Sequence, residues 1–222
     1  TVLDASVSVP TKLGINGAVP QTPLDIIANA SGYAMAVRGR SADDLSQIRF
    51  TSNDYGTIFA ELESDATYLA TRIGGSEKLR VDSSGRLLVG SSSSRTIANH
   101  AARIQLQGTD YQTSTLSITN NANAGNGAFL FFASQRSGSV GGSTIVQNND
   151  SIGTLRFFAG DGTDINSYAA EIQVNIDGTP GSNDVPGRIT FKTTADGAAG
   201  PTERLRITSS GSIGVGEADP SP

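Results

Sequence analysis

The chain of 222 residues contains no cysteine and no tryptophan, one methionine, one histidine and three lysines. Without cysteine, neither a disulfide framework nor thiolate chemistry is available, and stability has to come from packing and strand pairing. One histidine, His100 beside Asn99, falls short of the ligand set that a zinc site needs. It reads as an ordinary linker residue, because no Gly-x-Ser-x-Gly elbow accompanies it, although sequence distance leaves a Ser/His/Asp grouping in space open. Three lysines and a formal net charge of −5 provide no basic stripe to neutralise phosphates, which argues against nucleic acid as a partner. The longest apolar run, Ala128-Phe129-Leu130-Phe131-Phe132-Ala133, is far shorter than the roughly 20 residues that span a bilayer, so no membrane insertion is expected. The opening Thr1-Val2-Leu3-Asp4 has neither a methionine nor a charged-then-apolar leader, so the chain reads as a piece of a longer polypeptide without a signal peptide.

Apolar residues are scarce too. They make up 36% of the chain, against roughly 45–50% in a globular reference that also counts glycine. The 26 glycines close most of that gap in number but bury almost nothing. So thin an inventory suits an elongated object whose core is shared between subunits better than a compact monomer.

What the chain does contain is repetition. Glu77-Lys78-Leu79-Arg80-Val81-Asp82-Ser83-Ser84-Gly85-Arg86-Leu87-Leu88-Val89-Gly90 returns as Glu203-Arg204-Leu205-Arg206-Ile207-Thr208-Ser209-Ser210-Gly211-Ser212-Ile213-Gly214-Val215-Gly216. A partial third copy stands near the start, where Leu13-Gly14-Ile15 precedes Pro20 at the spacing that separates Ile213-Gly214-Val215 from Pro220. Short units closed by a common joint are a modular design, more often a fibre than an enzyme. Two modules are expected, 1–96 with its joint at 77–90 and 97–222 with its joint at 203–216, meeting at the polar linker Ser91–Thr96.

Alternation with a period of two marks Gln47–Thr51, Arg103–Gln107, Thr115–Thr119, Glu171–Ile176 and Arg188–Thr193 as strands with one buried face. Gly74-Gly75 suits a primed hairpin turn between Thr67–Ile73 and Ser76–Val81. Gly85 and Gly211 close the joint turns, where a residue without a Cβ is comfortable at positive φ. Ile58–Ile73 also carries a helical stripe (Phe59, Leu62, Leu69, Ile73), but the β context and the short spacing of turns favour strands. Phe129–Phe132 and Leu155–Phe158 are apolar at consecutive positions and need cover on both faces, at a subunit interface or within one module.

Weighed residue by residue, the candidate chemistry is thin. Asp161 and Asp164 could ligate calcium, and the carboxylates at Asp43-Asp44, Asp161–Asp164 and Asp177 could include a glycan-cleaving pair. Asp-Gly pairs are turn formers first, so neither reading is preferred. Gly211, Gly214 and Gly216 superficially suggest a phosphate loop, but prolines rather than a helix follow. Arg80 and Arg206 alternate with apolar residues and read as the solvent face of a strand, the alternative being an inter-subunit salt bridge.

The two joints, and the run Asp177–Gly197 that precedes the second, resemble segments of the tail-fibre and related virion proteins of tailed bacteriophages. The resemblance covers about half of the chain. It implies an all-β, elongated, fibrous homotrimer built from repeated short β-meander modules, displayed on the virion after assembly in the host cytoplasm. It also implies that an endosialidase-type intramolecular chaperone commonly follows, to be cut off after assembly; none is visible in this sequence. On this reading the work is mechanical reach and host-surface attachment, not catalysis, and no cofactor is expected. The partners are further copies of the chain, other tail or capsid proteins, and a bacterial surface glycan or protein. Candidates for the shared trimeric core are Leu87, Val89, Ile213 and Val215. Weaker candidates for host contact are the tyrosines Tyr55, Tyr111 and Tyr168, each placed in a loop, where a ring can stack on a sugar while its hydroxyl hydrogen-bonds; packing is the plainer role for each. The alternatives are a fibre-borne polysaccharide depolymerase, and a structural stalk or capsid fibre whose receptor tip lies elsewhere.

Overall fold

A computed structural model describes residues 36–54, 56–123 and 125–216, together with the backbone of Leu13–Ile15 and Leu24–Ile26. Every regular element among the described residues is a strand, so the protein is all-β. β1 (Leu13–Ile15) and β2 (Leu24–Ile26) form a parallel pair. A six-stranded sheet follows in the order β3 (Ser46–Thr51), β4 (Ile58–Ser64), β5 (Tyr68–Ile73), β6 (Ser76–Asp82), β7 (Leu87–Val89), β8 (Ile104–Leu106). A five-stranded sheet comprises β9 (Ser151–Ala159), β10 (Ser167–Ile176), β11 (Gly187–Thr193), β12 (Thr202–Ile207) and β13 (Ile213–Val215), again paired in chain order. Both are meanders, antiparallel throughout except where β7 meets β8 in parallel. The ambiguous Ile58–Ile73 forms the hairpin partners β4 and β5, and Gly74 and Gly75 both have positive φ (56° and 78°) in the turn that follows.

Two compact units emerge, Thr1–Ser94 with Ala102–Thr115, and Arg95–Ala101 with Leu116–Pro222. The division differs from a cut at residue 96, because β8 returns to hydrogen-bond with β7. That pairing is non-local, and neither composition nor turn chemistry signals it.

The repeated joint has one geometry in both copies. Gly85 (φ 71°) donates its N–H to the Asp82 carbonyl at 2.8 Å, and Gly211 (φ 86°) donates to the Thr208 carbonyl at 3.0 Å. One residue before each turn's two arms meet, Asp82 N–H bonds the Arg86 carbonyl and Thr208 N–H bonds the Ser212 carbonyl. Each joint also carries a β-bulge at the same place. β5 pairs Thr71 with Leu79 and then Arg72 with Glu77, leaving Lys78 as the extra residue; β11 pairs Phe191 with Leu205 and Lys192 with Glu203, leaving Arg204. The carbonyls of the two bulged residues are not orphaned, since Gly90 N–H bonds Lys78 and Gly216 N–H bonds Arg204. On a regular strand, residues three apart face opposite sides. The bulge shifts that parity, so Glu77 meets Arg80 and Glu203 meets Arg206 on one face, each pair joined by two hydrogen bonds of 2.7–3.0 Å.

Candidate association faces and contact loops

The strand register sorts side chains into two unlike faces. Across the six-stranded sheet, Ile48, Leu62, Thr71, Leu79, Val89 and Leu106 align in one row, and Leu69, Val81, Leu87 and Ile104 in the next. Across the five-stranded sheet the corresponding rows are Leu155, Ile172, Phe191, Leu205 and Val215, then Val174, Ile189, Ile207 and Ile213. Each sheet thus has one face that is almost wholly apolar.

These faces are the exposed ones. Among the described residues only Ala70, Leu88, Val146 and Ile176 are buried hydrophobics, whereas Glu61, Glu63, Gln105, Glu171, Asn175 and Thr190 are buried polar residues. A soluble single chain would show the opposite distribution, so the apolar inventory is held on the outside of the isolated fold.

The opposite, charged faces are closed by their own side chains. In the first unit the Glu63 carboxylate, only 4% exposed, accepts hydrogen bonds from the Tyr68 hydroxyl (2.5 Å), Gln47 Nε2 (2.7 Å) and Arg72 (3.1 Å). Arg80 lies over the Tyr68 ring at 3.6 Å from its centroid while it grips Glu77. In the second unit Glu171, also 4% exposed, takes Lys192 Nζ at 2.8 Å, Arg156 Nε at 3.0 Å and the Tyr168 hydroxyl. Burial pushes both carboxyls up, but these donors outweigh it and hold each below its ordinary value. Burial, reinforced by the hydrogen bond to Glu171, raises Tyr168 to about 12. Asp177 ties the second joint down: its carboxylate accepts the Ser209 N–H (2.8 Å) and Arg188 Nη1 (3.1 Å), and the Ser209 bond above all lowers it.

All four core candidates lie on the apolar faces. Leu87 and Val89 are half-buried because β8 covers the far side of β7, whereas Ile213 and Val215 are 65% and 79% exposed on the edge strand β13. Between them, Leu88 points the other way and is buried opposite Arg80 and Gln105. The candidate list missed most of the face, including Leu62, Leu69 and Leu79, although the same period of two marks them.

Other placements depart from the sequence reading. Tyr168 lies inside β10 instead of a loop, stacked on Phe158 (4.8 Å between centroids) and bonded to Glu171, so its ring and hydroxyl are both engaged in packing. Tyr111 is exposed in a turn that Asp110 and Thr113 cap, and Tyr55 lies outside the described residues. Arg80 and Arg206 form their salt bridges within the chain, with Glu77 and Glu203. Thr115–Thr119 forms no strand despite its alternation. The Asp161 carboxylate accepts from the N–H groups of Thr163 and Asp164 and from the Ser167 hydroxyl, which lowers it to about 2 and commits it to its own turn. No cluster of three or more metal-ligating side chains occurs among the described residues. His100 closes a small bridge with Ile97.

The fold has a known counterpart. It is similar to the carboxy-terminal domain of the bacteriophage T5 L-shaped tail fibre, with a TM-score of 0.63 over 89% of this chain and 91% of that one, at 13% sequence identity. A second solved form of that domain, carrying its intramolecular chaperone domain, aligns with a TM-score of 0.47 at 12% identity over 89% of this chain and 63% of that one. No protein-family model and no curated sequence matches the chain. At such low identity the likeness establishes a tail-fibre fold and leaves the role to be argued from the faces.

Proposed function

We propose that the chain is a structural and adhesive segment of a bacteriophage fibre that works as a homotrimer on the virion, with its apolar sheet faces turned toward the other copies. The observation that carries this reading is the inversion of the two sheets, charged faces closed by internal ion pairs and apolar faces left open. An apolar face that runs across six strands, with Ile48, Leu62, Leu69, Leu79, Val81 and Ile104 all exposed, is a surface that soluble monomers rarely leave open. Sheets with one such face need a second layer, and three copies of an identical face supply one without any further protein. The tail-fibre fold and the repeated joint support the assignment to a phage fibre.

Attachment to the host rests on loops, of which the turn carrying Tyr111 is the most exposed described candidate. Three copies on several fibres turn a weak contact with a bacterial glycan or protein into useful avidity where simultaneous engagement is possible. Light scattering tests the assembly: a particle of about three times 22.8 kDa is expected, and a stable folded monomer would overturn it. Competition by the purified chain for phage adsorption to whole cells tests attachment separately.

A further inference from the structure

An asparagine followed by glycine has its side-chain amide within reach of the next backbone nitrogen, with no side chain on that residue to obstruct the approach. Asn126-Gly127 is such a pair, and both residues are exposed in a stretch without a regular element. Neither the Asn126 side chain nor the Gly127 N–H makes a hydrogen bond among the described residues. The hydrogen bond that the pair does make holds the main chain alone: Asn120 Nδ2 donates to the Asn126 carbonyl at 2.8 Å, while Asn120 Oδ1 accepts the Ala122 N–H at 2.8 Å. Neither packing nor backbone geometry demands a glycine here. Nothing lies within 4 Å of where a Gly127 Cβ would stand, and its φ is outside the left-handed region.

Comparable pairs elsewhere are held back. In Asp-Gly pairs the group attacked is a carboxylate, a poorer electrophile than an amide, and two of them are committed to other contacts. The Asp161 carboxylate is taken by Thr163, Asp164 and Ser167. At Asp177-Gly178 the carboxylate binds Ser209 N–H and Arg188, and the Gly178 N–H, the attacking group, donates to Asn148 Oδ1 at 3.0 Å. Asn121 and Asn123, in the same loop as Asn126, precede alanines, whose methyl groups crowd the attacking nitrogen and whose backbones turn less readily than that of glycine. Asn16-Gly17 lies outside the described residues.

We infer that Asn126 is a site of spontaneous deamidation, a covalent change that this chain undergoes without an enzyme. The Gly127 nitrogen gives its proton to hydroxide and attacks the Asn126 side-chain carbonyl carbon. A new carbon–nitrogen bond closes a succinimide ring, the bond from that carbon to the side-chain nitrogen breaks, and ammonia leaves after taking a proton from water. A second water then opens the ring at either carbonyl. Attack at the former side-chain carbonyl leaves aspartate; attack at the main-chain carbonyl leaves isoaspartate. Nothing is oxidised or reduced, and water is the sole co-reactant. Either product adds one negative charge to a chain whose formal net charge is −5. The isoaspartate form also lengthens the backbone by one atom, just ahead of the apolar run Phe129–Phe132.

Peptide mapping by mass spectrometry, with fragmentation to place each change, reads the reaction in the intact chain incubated at mildly alkaline pH and sampled over time. The peptide carrying Asn126 should gain about 1 Da and divide into two products of equal mass, one aspartate and one isoaspartate. Conversion at Asn126 should be at least about fivefold faster than at Asn121 and Asn123, the factor that a glycine's extra backbone freedom alone supplies. It should quicken as pH rises, because the attacking nitrogen has to lose its proton. Gly127→Ala, which the open space around the residue admits, should slow Asn126 to the pace of its neighbours and leave the melting temperature unchanged. A parent chain in which Asn126 converts no faster than Asn121 and Asn123 would overturn the inference, as would a Gly127→Ala chain that converts as fast as the parent. Aspartate formed without isoaspartate would overturn it as well, since that marks direct hydrolysis of the side chain with no ring.

Discussion

Val215→Asp separates a free surface from a shared core more cleanly than any other single change. Val215 lies on β13 opposite Leu205 and is 79% exposed in the single chain. If that exposure persisted in solution, the substitution would cost no more than about 0.5 kcal/mol, the usual scale for a surface site. If three copies bury the face, each loses about 1.5–3 kcal/mol of apolar transfer free energy, roughly 5–9 kcal/mol for the particle. Desolvating three unpaired carboxylates then adds to that. The total is comparable to the whole stability of a typical domain, about 5–15 kcal/mol, so Val215→Asp should dissociate the assembly or unfold the second unit. Asn123→Asp, which adds the same charge in a loop, should leave mass and melting temperature unchanged. Size-exclusion chromatography with light scattering, run at several concentrations beside thermal melts, reads both variants. A Val215→Asp protein that remains trimeric and melts with the parent would refute the shared-core argument.

Four further outcomes are expected. Glu171→Gln leaves Lys192 and Arg156 without their carboxylate on a closed face, and denaturant unfolding should show a loss of about 1–3 kcal/mol. Tyr168, held at about 12 in the fold against 10.0 unperturbed, contributes stability that is full below pH 10 and is lost as pH rises toward 12, so alkaline melts of Tyr168→Phe should fall less steeply than those of the parent. The depressed carboxyls of Glu63 and Glu171 act in the opposite direction: their contribution is full above about 4.5 and fades as pH falls through their folded values, and acid unfolding should shift accordingly in Glu63→Gln. Gly211→Ala meets nothing within 4 Å but has to hold φ 86°, so a loss of about 1 kcal/mol in chemical denaturation would measure the backbone term alone.

The sheets were legible in the sequence because a strand with one apolar face has a period of two whatever covers that face. The alternation of Thr115–Thr119 misled, because a period of two constrains side chains and carries nothing about where the backbone finds its hydrogen bonds; Leu116 and Ile118 are exposed and no strand forms there. The joints were legible because two copies of one sentence must fold alike, yet their bulges were not. Lys78 and Arg204 are extra only relative to the residues opposite them on β5 and β11, so no pattern within the joint itself reveals them. Tyr168 was misplaced because its role depends on Glu171 and on Arg156, which arrives from the neighbouring strand. Reading the face as four residues was too narrow, since repetition drew attention to the joints and away from the equally periodic β3, β4 and β5.

The parallel contact between β7 and β8 has a mechanical meaning. Hairpin strands drawn apart from their open ends yield one hydrogen bond at a time, as a zip does. β7 is entered from β6 at Leu87, and the chain leaves β8 after Leu106, so tension along the polypeptide grips these two parallel strands at opposite ends. The bonds from Leu87 N–H to the Arg103 carbonyl (2.8 Å) and from Gln107 N–H to the Val89 carbonyl (3.0 Å) are then loaded together, in shear. A three-residue pairing that looks negligible by length therefore acts as a catch, its bonds sharing the load instead of opening one after another.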